Sequence, residues 1–483
     1  MQHRLTRRAF MAASMASAIH GCSNRPERPP EAADQFEPNW ESIQTHQVPQ
    51  WYDDAKLGIF VHWGLYSVPA WATPIGELGK FDEDQWFANN PYSEWYLNSL
   101  RIDGSPTQEH HRKTYGDNFA YMDFAPQFNA ALNGWEPDAM AGLFKDAGAQ
   151  YVVLTTKHHD GFTLWPSEVE NPNLAQGQRS TERDVVGELT AAVKAAQMRM
   201  GLYYSGGLDW SFNPEPIDSF EKVYSTIIHT QQFADYADAH WRELIEKYDP
   251  AILWNDIGYP EQADIAQIVA DFYNANADGL INNRFEIGKE GAPRRHHDFT
   301  TPEYAKMDEI TDYKWETCRG LGYSFGYNQV ETAEHTIGEA ELIHLLADIA
   351  SKNGNLLLNA GPMPDGTIPE LQASRLRTLG SWLRKNGDAI YGTRPWKTSS
   401  GETADGIPVR FTSKGEAVYA ILLGQPTSNT VSLDLGAKGT DASVTVLGEN
   451  QAPMTAMADG TLTVTLAAPL PTAHAHALRI ELG

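Results

Sequence analysis

Between residue 51 and about residue 388, short β-branched or apolar runs alternate with segments whose apolar positions recur at three and four spacing. The runs predict strands at 57–62, 151–156, 198–205, 251–254, 280–283 and 355–359. The periodic segments predict helices at 138–147, 185–196, 265–274 and 339–351. Asp184 is placed to cap the second of these helices and Gly148 to end the first. Strands separated by helices pair in parallel, because a parallel pair needs a crossover. The order fits an open doubly wound sheet or a closed (β/α)8-like barrel. No Gly-x-Gly-x-x-Gly follows the first strand, which removes the main support for a dinucleotide-binding sheet.

Beyond residue 395 the helical period disappears. Alternating runs at 409–412, 417–423, 430–435, 443–447, 461–466 and 477–482, separated by Gly-containing turns, predict a small antiparallel β-sandwich. The division is therefore a barrel over 46–394 and a sandwich over 395–483. With no aromatic platform visible in its sequence, the sandwich reads as a cover for the barrel rather than a carbohydrate-binding module. At the other end, Thr6-Arg7-Arg8-Ala9-Phe10-Met11 and the small-residue apolar run to Gly21 resemble a twin-arginine export signal over 1–22. That run is about a dozen residues, short of the ~20 that span a bilayer, so no transmembrane helix is expected. Ile19-His20-Gly21-Cys22 is similar to a lipoprotein box in which Cys22 would be acylated, although His20 departs from it and leaves the anchor open. Residues 23–45, rich in Pro, Glu, Asn and Gln, read as a flexible tether. The expected location is outside the cytoplasm: periplasmic, or held at a membrane by lipid.

Composition narrows the function. The 483 residues are 41% hydrophobic and 21% charged, which excludes disordered and collagenous classes. With 63 acidic against 37 basic side chains and a net charge of -26, nucleic acid and anionic membranes are disfavoured as partners and neutral substrates fit better. Cys318 is the only cysteine beyond the leader, so no intrachain disulfide is available there.

A barrel gathers its active site from the C-terminal ends of its strands. Those ends read His62-Trp63, His158-His159-Asp160, Tyr203-Tyr204, Trp254-Asn255-Asp256 and Asn283-Arg284. Such a set suits a neutral sugar, which needs flat apolar walls for its C–H faces and a few fixed donors and acceptors for its hydroxyls. Taken singly, each His or Trp reads as a satisfied core residue; together they read as a site. The adjacent His158 and His159 would point to opposite faces of a regular strand, so both can reach one substrate only if the strand ends or bulges there. A metal-dependent hydrolase is the weaker reading of His158-His159 and His296-His297, since no His-Glu-x-x-His or Cys-pair spacing is present, and neither metal nor cofactor is expected.

From Trp51 onward these motifs make the chain similar to a glycoside hydrolase family 29 α-L-fucosidase of the exported, bacterial kind. The resemblance rests on Gly58-Ile59-Phe60-Val61-His62-Trp63-Gly64, Glu94-Trp95-Tyr96, Lys157-His158-His159-Asp160-Gly161-Phe162, Tyr203-Tyr204-Ser205, Leu253-Trp254-Asn255-Asp256 and Asp298-Phe299-Thr300-Thr301-Pro302-Glu303-Tyr304, in that order. It implies a retaining exo-fucosidase acting on fucosylated oligosaccharides or glycoconjugates. Asp256 would be the nucleophile and Glu303 the general acid/base, with Glu290, Glu309 and Glu316 as substitutes for the latter. Such an enzyme would hold its two carboxyl groups about 5 to 5.5 Å apart, with ionised Asp256 keeping Glu303 protonated until the ester forms. The resemblance also implies that His62, Glu94, Trp95, His158, His159, Tyr203 and Arg284 surround the sugar and that Phe60, Trp254 and Phe325 enclose its C5 methyl. Alternatives are a retaining glycosidase for another sugar and a sugar-binding relative without turnover. Linkage, leaving group and oligomeric state are not legible.

Overall fold

Seven parallel strands form the first sheet: β1 (Leu57–Val61), β2 (Tyr151–Lys157), β3 (Arg199–Ser205), β4 (Ile252–Asp256), β5 (Leu280–Ile281), β6 (Trp315–Gly320) and β7 (Gly354–Ala360). Their order is β5-β4-β3-β2-β1-β7-β6. Crossover helices include α1 (Pro137–Asp146), α2 (Val185–Ala195), α3 (Gln231–Tyr248), α4 (Ile265–Ala275) and α5 (Glu339–Ser351), and α6 (Glu370–Asn386) follows β7. This computed structural model describes residues 36–286, 295–436 and 441–483. The export-signal segment and residues 23–35 lie outside that range. Residues 36–45, the end of the stretch read as a tether, carry a helical turn at Trp40–Ile43 capped by Asn39, and Phe36 packs on His46 and Tyr273. No helix among the described residues is long and apolar enough to cross a membrane.

The strands were legible because a parallel sheet buried on both faces reads as a nearly unbroken apolar run. Not every element was predicted; β6, α3 and α6 are among those absent from the sequence reading. In β6, Trp-Glu-Thr-Cys-Arg-Gly, all six residues are buried although half are polar. Glu316 is satisfied there by Tyr52, Tyr151 and Trp254, and Arg319 by Glu77 at 2.9 Å. In α3, Phe233, Tyr236, Ala237, His240, Trp241, Leu244 and Tyr248 are buried at helical spacing, but Ala, Tyr and His dilute the apolar seam.

Residues 298–300 bridge the two edges of the sheet. Asp298 N donates to Ile281 O (3.0 Å), Asn283 N to Phe299 O (3.1 Å), Thr300 N to Lys314 O (3.1 Å) and Glu316 N to Thr300 O (2.8 Å). Both bridges are parallel, so this segment acts as a short eighth strand between β5 and β6 and closes the barrel. Asp298 latches it in place. Its Oδ2 accepts from the Ile281 amide and the Tyr273 hydroxyl, both at 2.7 Å, and its Oδ1 from His46 Nδ1 at 2.8 Å. The other ring nitrogen of His46 faces the carbonyl of Ala277 at 3.2 Å, so both nitrogens meet acceptors and the ring is held as the cation.

This latch has a pH signature. Burial acts to lower the His46 pKa, but Asp298, the Ala277 carbonyl and Asp278 outweigh it and lift it above 6.5. Burial pushes Asp298 up, and His296 and His46 pull it further down, to about 2. A raised histidine contributes stability that is complete below its unfolded value of 6.5 and is lost as pH rises through the folded value. The depressed carboxylate contributes above its unfolded value of 3.8 and loses that contribution as pH falls toward 2. Urea unfolding should therefore show the latch at full strength from about pH 4 to 6.5 and weakening on the alkaline side. In Asp298→Asn the alkaline decline should flatten; parallel profiles for the two proteins between pH 6 and 9 would count against the latch.

The C-terminal region is a sandwich of a five-stranded sheet, β12-β15-β10-β9-β8, and a three-stranded one, β11-β14-β13. The strands run β8 (Arg394–Glu402), β9 (Pro408–Lys414), β10 (Ala417–Leu422), β11 (Thr430–Asp434), β12 (Ala442–Val446), β13 (Met454–Ala458), β14 (Thr461–Thr465) and β15 (His476–Leu482). Strand β10 is apolar throughout because it serves two cores: Val418, Ala420 and Leu422 face the sandwich interior, whereas Ala417, Tyr419 and Ile421 join the barrel's core. Asp348 of α5 fastens the junction by binding Lys306, Lys352 and Arg410 together.

Candidate active site

Asp256 is the last residue of β4, with its carboxylate turned into the barrel mouth and almost fully buried. Its Oδ2 accepts from Tyr203 at 2.8 Å and its Oδ1 from Arg284 Nη1 at 2.8 Å. Burial alone would raise its pKa; the charge of Arg284 and the hydrogen bonds from Arg284 and Tyr203 reverse that and hold it below the ordinary carboxylate value, so it stands ionised. Glu303 lies just past the closing strand. Its Oε1 accepts from Tyr92 at 2.8 Å and its Oε2 from Arg284 Nη2 at 3.3 Å. One guanidinium thus spans both carboxylates. Arg284 is itself fixed by Thr301, through Nε to the hydroxyl (2.8 Å) and Nη2 to the carbonyl (3.1 Å), and lies 4.7 Å over the Trp254 ring.

The residues that follow both carboxylates share an unusual backbone. Ile257 has φ +51° and Tyr304 φ +48°, left-handed values that a β-branched or bulky side chain rarely adopts. Strain of this kind costs on the order of 1–3 kcal/mol and persists where surrounding contacts impose it. Here the Asp256 carbonyl accepts from the amides of Gly206 and Gly207, at 3.2 and 3.3 Å. The Tyr304 hydroxyl donates to the carbonyls of Gly322 (3.0 Å) and Tyr323 (2.9 Å).

The paired histidines are reconciled by the end of β2. The register shifts between Thr155 and Lys157, the strand stops at Lys157, and the two rings lie with centroids 4.0 Å apart. Lys157 is anchored by an ion pair with Asp209 at 3.0 Å, both side chains fully buried. Gly161 makes the turn with φ +82°, and a Cβ there would meet Asp209 Oδ1 at 2.7 Å. Burial lowers His62 to about 4 and His159 to about 3, and drives His158 down as well, so all three rings are neutral near pH 7. Asn359 donates to the Phe325 carbonyl at 2.6 Å, so its Oδ1 accepts from His62 Nδ1 at 2.7 Å. Ser205 donates to Leu208 O at 2.6 Å and so accepts from His159 Nδ1, also at 2.6 Å. In both rings Nε2 is left as the acceptor for a hydroxyl, and that of His159 lies 4.0 Å from Asp256.

Aromatic contacts join the remaining positions. Phe60 is 4.5 Å from His62, 5.0 Å from Trp254 and 6.4 Å from Phe325, and Tyr203 stacks on Trp254 at 5.6 Å. Trp95 meets His159 at 5.5 Å. Glu94 is buried beside them, accepting from Gly326 N at 2.7 Å and Ser324 Oγ at 3.2 Å, and burial raises it to about 7. A cavity of about 400 Å³ opens onto Asp256, Arg284, Glu303, Tyr92 and Trp95.

The structure therefore brings together every site residue named from the sequence. Among the substitutes for Glu303, Glu309 is exposed on the surface, Glu316 is enclosed by three donors beneath Trp254, and Glu290 lies outside the described residues. Sequence reasoning missed Tyr92, Asn359, Ser205 and Thr301, which orient the groups that would touch substrate. Each carried some signal: Ser205 and Thr301 stand inside the motifs that carry the resemblance, Asn359 ends a predicted strand, and Tyr92 stands two residues before Glu94.

Comparison with known proteins agrees with this geometry. The chain matches the family described as Alpha-L-fucosidase over residues 25–388. It is 34% identical to the tissue α-L-fucosidase of Mus musculus over 424 residues, 86% of each chain, and 33% identical to that of Homo sapiens over 437 residues, 88% of this chain and 86% of that one. Among solved structures it is similar to the Thermotoga maritima α-fucosidase in complex with fucose, with 44% identity, a TM-score of 0.82 and coverage of 92% of this chain and 100% of that one. The same enzyme in complex with a mechanism-based inhibitor aligns with 44% identity, a TM-score of 0.82 and coverage of 92% and 99%. With the ionised carboxylate, its guanidinium-linked partner and the histidine-lined barrel mouth, these matches show that the chain belongs to the α-L-fucosidase family of glycoside hydrolases.

Proposed function

We propose that Asp256 is the nucleophile and Glu303 the acid/base of this retaining α-L-fucosidase. The observation that carries the assignment is Arg284, which binds both carboxylates at the cavity in the barrel mouth. Asp256, ionised and held by Tyr203 and Arg284, attacks the anomeric carbon while Glu303 gives a proton to the departing oxygen. The resulting fucosyl ester is then cleaved by water, from which Glu303 takes the proton back. His62 and His159 accept hydroxyl hydrogens of the sugar through Nε2, and Phe60, Trp254 and Phe325 supply the apolar wall for its methyl. An added hydroxyl there would lose its water partners, a discrimination of about 1 to 3 kcal/mol.

A second reading of the acid has one observation behind it: Glu94, raised to about 7 by burial, holds a proton near neutral pH. The cavity favours Glu303, which lines it together with Asp256.

Time-resolved proton NMR of an aryl α-L-fucoside tests the mechanism. The α anomer of free fucose should appear first and equilibrate later. First appearance of the β anomer would refute the double displacement and the role of Asp256.

We also propose that the protein is exported as a bacterial twin-arginine substrate and reaches the periplasm. The support is Arg7-Arg8 and the short apolar run that follows. Acylation of Cys22 would anchor it to a membrane.

A further inference from the structure

We infer that Phe87, Phe220, Val223 and Tyr224 form the subsite for the leaving group, and that this group is a neutral sugar presenting an apolar face. The inference rests on the fucosidase reading of Asp256 and Glu303. The cavity that contains those carboxylates continues without interruption onto these four residues. Whatever is bonded to the fucosyl oxygen that Glu303 protonates must leave along that wall.

The wall is built for contact. Phe220 is 42% and Tyr224 53% exposed, large aromatic surfaces that a soluble protein rarely leaves to water beside a cleft without use. They are not loose. Residues Phe220–Ser225 form a short helix capped by Ser219, and the Phe220 amide donates to the carboxylate of Glu83 at the start of the facing helix Glu83–Ala88. Phe87 of that helix packs edge-on against Phe220, centroids 5.2 Å apart, and reaches Trp95 at 6.4 Å. The platform is thus packed, through Phe87 and Trp95, against the sugar site. Asn90 and Asn283 add amide groups to the same cavity, the mix of flat apolar surface and isolated polar groups that suits a pyranose better than an acyl chain.

Charge decides the class. Arg284 is the only cation among the described residues lining the cavity, and it is bound to both carboxylates. Lys222, on the same short helix as Tyr224, is paired with Asp218 at 3.1 Å. Arg295 is paired with Glu286 at 2.6 Å, and Glu286 lines the cavity. Among the described residues, a sulfated or carboxylated leaving sugar would meet the carboxylates of Asp256, Glu286 and Glu303 and no cation that is not already paired.

The test compares leaving groups in Phe220→Ala, Tyr224→Ala and the double variant. On α-L-fucosyl fluoride, whose leaving atom is too small to touch the wall, kcat/KM should match the parent. On a neutral fucosylated disaccharide it should fall about tenfold per aromatic residue removed. Tyr224→Phe should keep most of the parent activity, since the ring and not the hydroxyl is the platform. Equal losses on both substrates, or none on the disaccharide, would overturn the subsite. A disaccharide with a sulfated leaving sugar cleaved by the parent as fast as the neutral one would overturn the class. Failure of the parent to turn over fucosyl fluoride would instead sink the fucosidase roles on which the inference stands.

Discussion

Replacing Asp256 by Ala should lower kcat for fucoside hydrolysis by roughly four orders of magnitude or more, while the protein stays folded. The size of the effect follows from the site. Tyr203 and Arg284 keep this carboxylate ionised and aimed, and among the described residues no other carboxylate bonds to both. Removal of the side chain leaves an opening at the face from which the anomeric carbon is attacked. Azide should enter it and give β-L-fucosyl azide, of inverted configuration, with partial recovery of turnover of an aryl fucoside. Product NMR and the thermal unfolding midpoint are the two measurements. Activity within tenfold of the parent, or azide that restores nothing in a folded variant, would show that another group attacks.

For Glu303→Ala the expected loss depends on what departs. A glycan oxygen needs a proton as its bond breaks, so loss of the acid should cost about 10²- to 10⁴-fold on a fucosylated disaccharide. Fluoride leaves without one, so formation of the ester from fucosyl fluoride should be nearly unaffected, and breakdown of the ester becomes the slow step. Azide needs no base to attack that ester, and it should release α-L-fucosyl azide, of retained configuration. The two variants are therefore told apart by opposite anomers of one product. Glu94→Gln is the control for the competing acid. If its losses track the leaving group and those of Glu303→Ala do not, the proton comes from Glu94.

Much of this is written in the sequence. The six predicted barrel strands were recovered because each is an apolar run buried on both sides. The strand-end residues His62, His158, Tyr203, Asp256 and Arg284 stood out because polar groups directly after such runs have one place to go, the mouth of the barrel. Glu303 did not stand out on that ground. It follows a three-residue strand, 298–300, too short to show a period, and its role came from resemblance. β6 was missed for the opposite reason: its polar side chains are inside, each satisfied by partners far away in sequence, so its pattern imitates a loop.

The sequence by itself determined the alternation of strands and helices, six of the barrel strands, the appended sandwich, the family and the residue types at the strand ends. Each of these is written in local periodicity or in short contiguous motifs. Only the tertiary structure decided how the barrel closes, that one guanidinium is shared by Asp256 and Glu303, that Tyr92 holds Glu303 from 211 positions away, and that Phe220 and Tyr224 continue the same cavity. Those are contacts between distant segments, set by which edges of the sheet meet. A pattern that repeats every two or three and a half residues reports which face a side chain takes and carries no information about what stands opposite it.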